Sequence, residues 1–398
     1  MPLFFSYAFR PLFLLMTIYA VVVVPYWTAA WLGYLPMPTL LGTPSWWHAH
    51  EMIHGFAGAA VGGFALTAVA TWTRRPPVAG PALLMLSGLW VVARLLFALP
   101  FPGLRPAAMT ADLGYGVLLF VLMSREIIGA KSVRNYKVLV ILALLPLANA
   151  WFFSGIIRNA AWTASSLMAA VWSLVLLVNV IAGRIIPAFT RNWLKMHAEP
   201  AIAHGGPKLP PAFGRLDLLS TVLMIAFATL HLAGFPSSIG LAVLGLLTSA
   251  VLGVRLFRWR GFETTKEPLV WVLHLAFAWL PIGFLLMGLA QAGLVPRSAG
   301  IHALTSGAIT TMIVAVASRA ALGHTNRPLR SHPALTTAYL AITISAVSRV
   351  LATFGPGARI LLAIAAITWC LGFLAFAWRY VPILTQPKLR RASSLPMA

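Results

Sequence analysis

The sequence predicts an all-α, polytopic membrane bundle of about twelve transmembrane helices, with the N- and C-termini cytoplasmic. Three observations carry that prediction. First, 60% of the 398 residues are hydrophobic and only 9% are charged. A soluble domain carries about 25% charged residues, so this chain has too little polar side chain to cover a water-facing surface. Second, the chain divides into apolar runs of the length, roughly 20 residues, that a helix needs to cross the hydrocarbon core. Third, the basic residues alternate between the two sides of that bundle.

The runs, bounded by Pro, Gly and charge clusters, fall at 12–33, 50–72, 79–99, 107–128, 138–156, 161–183, 216–234, 237–257, 268–292, 299–321, 334–353 and 357–382. They form one transmembrane domain over 1–398. The first run lacks a small-residue cleavage site and reads as a retained helix. With the N-terminus inside, 23 of the 29 Lys and Arg fall on the cytoplasmic side and 4 on the other, while Arg94 and Arg349 lie within spans. That bias follows the rule that cytoplasmic loops are positive. It explains the formal charge of +22 without nucleic acid. Trp and Tyr at run ends, such as Trp46, Trp47 and Trp378, fit interfacial belts. The longest connection, about 184–215, is rich in Pro and Gly and reads as a cytoplasmic loop.

The single cysteine, Cys370, excludes an internal disulfide and any CxxC site. Any metal therefore relies on His, Met or carboxylate. Ionisable residues within spans are costly and face a bundle interior or cavity. Depth places His48, His50, Glu51, His54, His302, Arg94, Arg349 and Asp112 toward the periplasmic face. His274 and His324 lie toward the other face. His50 and His54, four apart, share a helical face. His48 and His50, two apart, share a site only if the chain enters its helix irregularly after Pro44. A single His near a helix end is more often a hydrogen-bonded residue than a ligand, and Arg94 with Asp112 reads equally as a buried structural pair. Three histidines within seven residues, with His302 at similar depth, favour a metal or haem. A weak internal echo sets the segment from His54 to Pro76 beside that from His302 to Pro328.

At these residues the chain resembles the NnrS family of haem- and copper-containing bacterial membrane proteins linked to nitric oxide. The resemblance runs over nearly the whole chain. It is carried by FRPLFLL (Phe9 to Leu15), WHAHEM (Trp47 to Met52), TAVATWTRRPP (Thr67 to Pro77), GRIIPAFTRN (Gly183 to Asn192), HLAFAWLPIG (His274 to Gly283) and the stretch from His302 to Pro328. Family motifs map onto His48, His50, His274, His302 and His324. His54 stands where the family has an apolar residue, and Thr310 and Asn326 stand where it has glycine. The resemblance implies a multi-pass protein of the bacterial inner membrane, carrying haem b and copper. It implies a role in denitrification or in resistance to nitrosative stress.

The chemistry follows from the donors. Neutral imidazole suits haem iron and copper. The expectation is a haem held by His50 and His302, with Arg94 and Arg349 on its propionates. Copper would use His48 with a neighbouring imidazole drawn from His50, His54 and His302. His274 and His324 would form a second haem or metal site, or a proton or electron route. The leading function is binding or redox conversion of nitric oxide or a derived species, as a nitric-oxide-related oxidoreductase or as a binding protein. Two alternatives stand beside it. One is an anion or metal transporter with a buried His/Arg site. The other is a bis-His electron-transfer cytochrome exchanging with quinol or another electron donor.

Overall fold

The computed structural model describes residues 3–197, 209–234, 239–355 and 357–389. It is 82% helical without strands among them. Among the described residues, twelve helical segments are long and apolar enough to span a membrane. Span 1 is α1 (Phe9–Trp31). Span 2 comprises α2 (Pro44–His50), a π-helical segment (Glu51–Ala57) and α3 (Gly58–Thr73). Spans 3 to 5 are α4 (Pro81–Ala98), α5 (Arg105–Gly129) and α6 (Tyr136–Arg158). Span 6 is α7 (Thr163–Met196), and spans 7 to 9 are α8 (Arg215–Leu232), α9 (Ile239–Arg258) and α10 (Pro268–Gln291). Span 10 comprises α11 (Arg297–His302), a second π-helical segment (Ala303–Ile309) and α12 (Thr310–His324). Spans 11 and 12 are α13 (Pro333–Leu351) and α14 (Ala358–Thr385).

All twelve predicted spans are present, and two of their ends move. Span 2 begins at Pro44, which takes the first helical position after Thr43, whose hydroxyl accepts from the Trp46 N–H. Pro is well placed there because its missing N–H has no partner to lose. His48 and His50 therefore sit on regular α-helix, not on an irregular entry. Span 6 continues to Met196. The connection expected over 184–215 thus contributes helix up to that point, while His204 lies outside the described residues.

Burial shows how the bundle is layered. The apolar windows of spans 2, 6 and 10 are 72%, 72% and 67% buried, and span 9 is 61% buried, against 28–50% for the rest. Spans 2, 6, 9 and 10 are central and the others face outward. The π segments of spans 2 and 10 both touch α7, and α1 packs along α14, so the first and last spans are neighbours.

The internal echo is real, but its register differs from the sequence reading. A constant offset of 252 residues pairs His50 with His302, Gly55 with Gly307, Thr73 with Thr325, Arg75 with Arg327, Pro76 with Pro328 and Pro81 with Pro333. In each copy a short α-helix ends in that histidine, a seven-residue π segment follows, and α-helix resumes. Each copy leaves its helix through a left-handed residue, Arg74 at φ 57° and Asn326 at φ 56°. The neighbours match as well. Helix α1 lies on the first π segment and α10 on the second, while α4 pairs with α5 as α13 pairs with α14. Spans 1–4 and 9–12 are therefore built alike, and the sequence match misses this when it is anchored on His54.

Helical π segments shift side chains off the ordinary register and collect at functional sites. Here side chains of neighbouring spans or of the span itself satisfy the carbonyls around them. Trp90 Nε1 donates to the Gly55 carbonyl at 2.9 Å, and Tyr115 Oη to that of Gly58 at 2.7 Å. In the second copy the Thr310 hydroxyl donates to the Thr305 carbonyl at 3.1 Å. Glycine at the shared position is needed for close approach. A Cβ on Gly55 would sit 2.7 Å from Arg94 Nη1 and 2.9 Å from the Tyr19 ring, and one on Gly307 would strike the Trp279 ring.

Candidate functional site

Two polar clusters form where span 2 meets its neighbours. The inner one is an ion network. His50 and Glu51 are fully buried, and Arg94 and Asp112 nearly so. Arg94 Nη1 contacts Glu51 Oε1 at 2.7 Å, and its Nη2 contacts Asp112 Oδ1. His50 Nδ1 lies 2.9 Å from Glu51 Oε1. His50 Nε2 lies 3.2 Å from both Asp112 Oδ2 and Asn149 Oδ1. Asn149 Nδ2 donates to Asp112 Oδ2 at 2.6 Å, which fixes its amide oxygen toward His50. The Tyr19 hydroxyl donates to Glu51 Oε2.

Both ring nitrogens of His50 thus face oxygen acceptors, so each is drawn as a donor. Two carboxylates then meet two cations, which is how a buried set of charges avoids leaving one uncompensated. Arg94 is held by two carboxylates and lies over the Trp90 and Phe97 rings, with guanidinium carbon to ring centroid 5.9 and 5.3 Å. The structural-pair reading of Arg94 fits this geometry better than the propionate-anchor reading. His54 lies beside His50, with ring centroids 5.0 Å apart. Its buried Nε2 has no partner. It lines a cavity of about 30 Å³ together with Asp112, Tyr115 and Asn149, room for a water-sized occupant.

The second cluster joins the twin spans. His48 stacks on Trp27 with centroids 4.5 Å apart and planes 8° apart. Its buried Nδ1 carries no hydrogen bond. His302 and Arg349 lie within electrostatic reach of it. His302 Nδ1 donates to the Ser298 carbonyl at 2.7 Å. A carbonyl can only accept, so the proton is on Nδ1 and the Nε2 lone pair is free. Metal-binding histidines are commonly oriented in this way. Arg349 makes no hydrogen bond or ion pair with the described residues, and all three side chains are half-buried.

His302 thus lies within electrostatic reach of His48 and Arg349, while no interaction links it to His50. His274 and His324 stand apart from both clusters. His274 Nε2 is 2.9 Å from Thr190 Oγ1. Because that hydroxyl also donates to the Ile186 carbonyl, it accepts from His274. His274 Nδ1, buried without a partner, lies against Gly261. His324 packs between Tyr7 and Phe9, each at a centroid distance of 5.9 Å. Among the described residues no three His, Cys, Asp or Glu side chains converge in a metal-binding group. The fold offers an imidazole pair.

Sequence reasoning passed over Tyr19, Asn149 and Thr190, and read Trp27 only as an interfacial aromatic. Asn149 was the most visible of them, as the one amide side chain in the apolar run of α6. Arg255, one of the 23 basic residues assigned to cytoplasmic segments and helix ends, is a further buried group. It binds Asp217 through Nε at 2.6 Å and contacts Asn179.

The family model described as NnrS protein matches residues 3–388. The chain belongs to the NnrS family. Membership points to a nitric-oxide-related, haem- and copper-associated membrane protein. With twelve apolar helices, the chain is a multi-pass membrane protein. No curated protein matches it in sequence.

Proposed function

We propose that this NnrS protein binds nitric oxide, or a species formed from it, at a haem–copper centre held by His48 and His302. The observation that carries the reading is the pair itself. Two imidazoles with free ring nitrogens lie at the starts of the twin α–π–α spans, within electrostatic reach of each other and of an unpaired guanidinium. That donor set fits a haem edge, because neutral imidazole ligates iron or copper and Arg pairs with a carboxylate.

When bound, haem and copper would supply redox-active metals able to take nitric oxide as a ligand. The chain's own residues do the rest. The Ser298 carbonyl fixes the ring of His302, and Trp27 fixes the plane of His48. Arg349 offers its guanidinium to a propionate. The balanced network around His50 pins α2 to spans 1, 3, 4 and 5, and so holds His48 two residues away. Read by the positive-inside rule, the basic bias of one side supports a bacterial inner-membrane protein with this pair toward the periplasm.

The test replaces His48 and His302 by Ala, separately and together. Haem per chain is measured by pyridine haemochrome and copper by mass spectrometry. Each single variant is expected to lose haem or copper, and the double variant both. Wild-type cofactor content in the double variant contradicts the assignment. Failure of nitric oxide to alter the spectrum of reduced wild-type protein, with haem present, favours the electron-transfer reading.

A further inference from the structure

A third polar cluster lies at the opposite end of the twin spans, where span 1 begins and span 12 ends. Arg10 is fully buried there. Its Nη1 donates to the carbonyls of Leu384 at 2.6 Å and Gln386 at 2.8 Å. Its Nε and Nη2 are buried without partners. Arg327, within electrostatic reach, has a buried, unpartnered Nη1, and Arg379 acts on it in turn. Three guanidinium groups thus gather, and a buried charge without compensation is costly.

No described carboxylate answers them. Glu51 and Asp112 hold Arg94, Glu126 holds Arg75 and Arg125, Asp217 holds Arg255, and Glu263 holds Arg260. Glu267 caps α10 through the Leu269 N–H. Glu199 lies outside the described residues. The internal repeat makes the gap specific. Arg75, the twin of Arg327, is paired with Glu126 at 2.7 Å. The same offset of 252 places Trp378 opposite Glu126. One copy carries its counter-charge at that position, and in the other no described carboxylate takes its place.

We infer that the Arg10–Arg327 cluster binds a phosphate group, the headgroup of an anionic phospholipid or free phosphate. The planar guanidinium fork matches an oxyanion with two parallel N–H donors. The position favours phosphate, because the start of α1 and the end of α14 are ends of membrane-length helices, where headgroups meet a spanning bundle. Basic pockets between membrane helices on the cytoplasmic side bind phospholipid headgroups. The segment 384–389 closes over the site. It is held by the Leu389 N–H to the Thr325 carbonyl at 3.1 Å and by Arg327 Nη2 to Gln386 Oε1 at 3.3 Å.

The test uses the full-length protein in nanodiscs of phosphatidylcholine, with or without phosphatidylglycerol, and separately with inorganic phosphate. Thermal unfolding is followed, and co-purifying lipid is read by native mass spectrometry. Phosphatidylglycerol is expected to raise the unfolding temperature and to be retained. A rise with inorganic phosphate alone supports the site with free phosphate as its source. Arg10→Gln and Arg327→Gln should each lower retention about fivefold, the effect of one basic residue worth ~1 kcal/mol. Arg379→Glu, on a half-buried position beside Arg327, brings in a carboxylate and should displace the ligand without removing either arginine. The inference is overturned if neither phosphate source shifts unfolding, or if Arg379→Glu responds as wild type does.

Discussion

Replacing Arg94 by Gln removes the cation that joins two buried carboxylates. In the wild type Arg94 Nη1 is 2.7 Å from Glu51 Oε1 and its Nη2 contacts Asp112. The variant leaves Glu51 and Asp112 with His50 as their one remaining cationic partner. Removing one member of a buried pair costs about 3–5 kcal/mol, most of it from the charge left behind. The double variant Arg94→Gln, Asp112→Asn removes one charge of each sign and keeps His50 beside Glu51 at 2.9 Å. It should therefore recover about 2 kcal/mol relative to the sum of the two single variants, within the range of coupling seen for residues in one network. Reversible unfolding in mixed micelles, followed by tryptophan fluorescence, measures all four proteins. Simple additivity of the two single variants would refute the network. So would an Arg94→Gln variant as stable as wild type.

Three further outcomes follow from the same geometry. Gly55→Ala and Gly307→Ala should each destabilise by about 1–3 kcal/mol, the usual cost of overpacking, because the new methyl meets Arg94 and Tyr19 or the Trp279 ring; Gly88→Ala, with nothing within 4 Å, is the control in the same unfolding assay. His54→Leu should be at least as stable as wild type and keep its haem and copper, since it removes a buried nitrogen without a partner; loss of either cofactor would make His54 a ligand. Thr190→Val should cost about 1–3 kcal/mol, because it leaves both nitrogens of His274 unsatisfied; a neutral result in chemical denaturation would show that His274 finds another partner.

The fold was legible because membrane physics acts on composition. An apolar run must become a helix when no water is present to satisfy its backbone, so Phe9–Trp31 and Ala358–Thr385 could be read almost to their ends. The two misplaced ends have physical causes. Pro44 looks like a breaker in a sequence but is a good first residue of a helix. The Arg and Lys after Gly183 look like loop but ride on the last turns of α7. The candidate site was half legible. Depth alone found His48, His50, His302, Arg94, Arg349 and Asp112. What decides partners is rotation about each helix axis, and the π segments change that rotation after His50 and after His302. A regular 3.6-residue period could not show that His302 would meet His48, or that His50 would be enclosed by Glu51, Asp112 and Asn149. The same shift hid the true register of the repeat, which appears once His50, not His54, is set against His302.

The central claim is that the twin spans hold a haem–copper centre open to nitric oxide. The optical spectrum of the pure, reduced protein, taken with and without nitric oxide beside metal analysis of the same sample, tests it most directly. The account predicts stoichiometric haem, copper in the same preparation, a haem spectrum altered by nitric oxide, and loss of these features when His48 and His302 are both Ala. Pure, folded protein without stoichiometric haem, or a double variant with the wild-type spectrum, would contradict it.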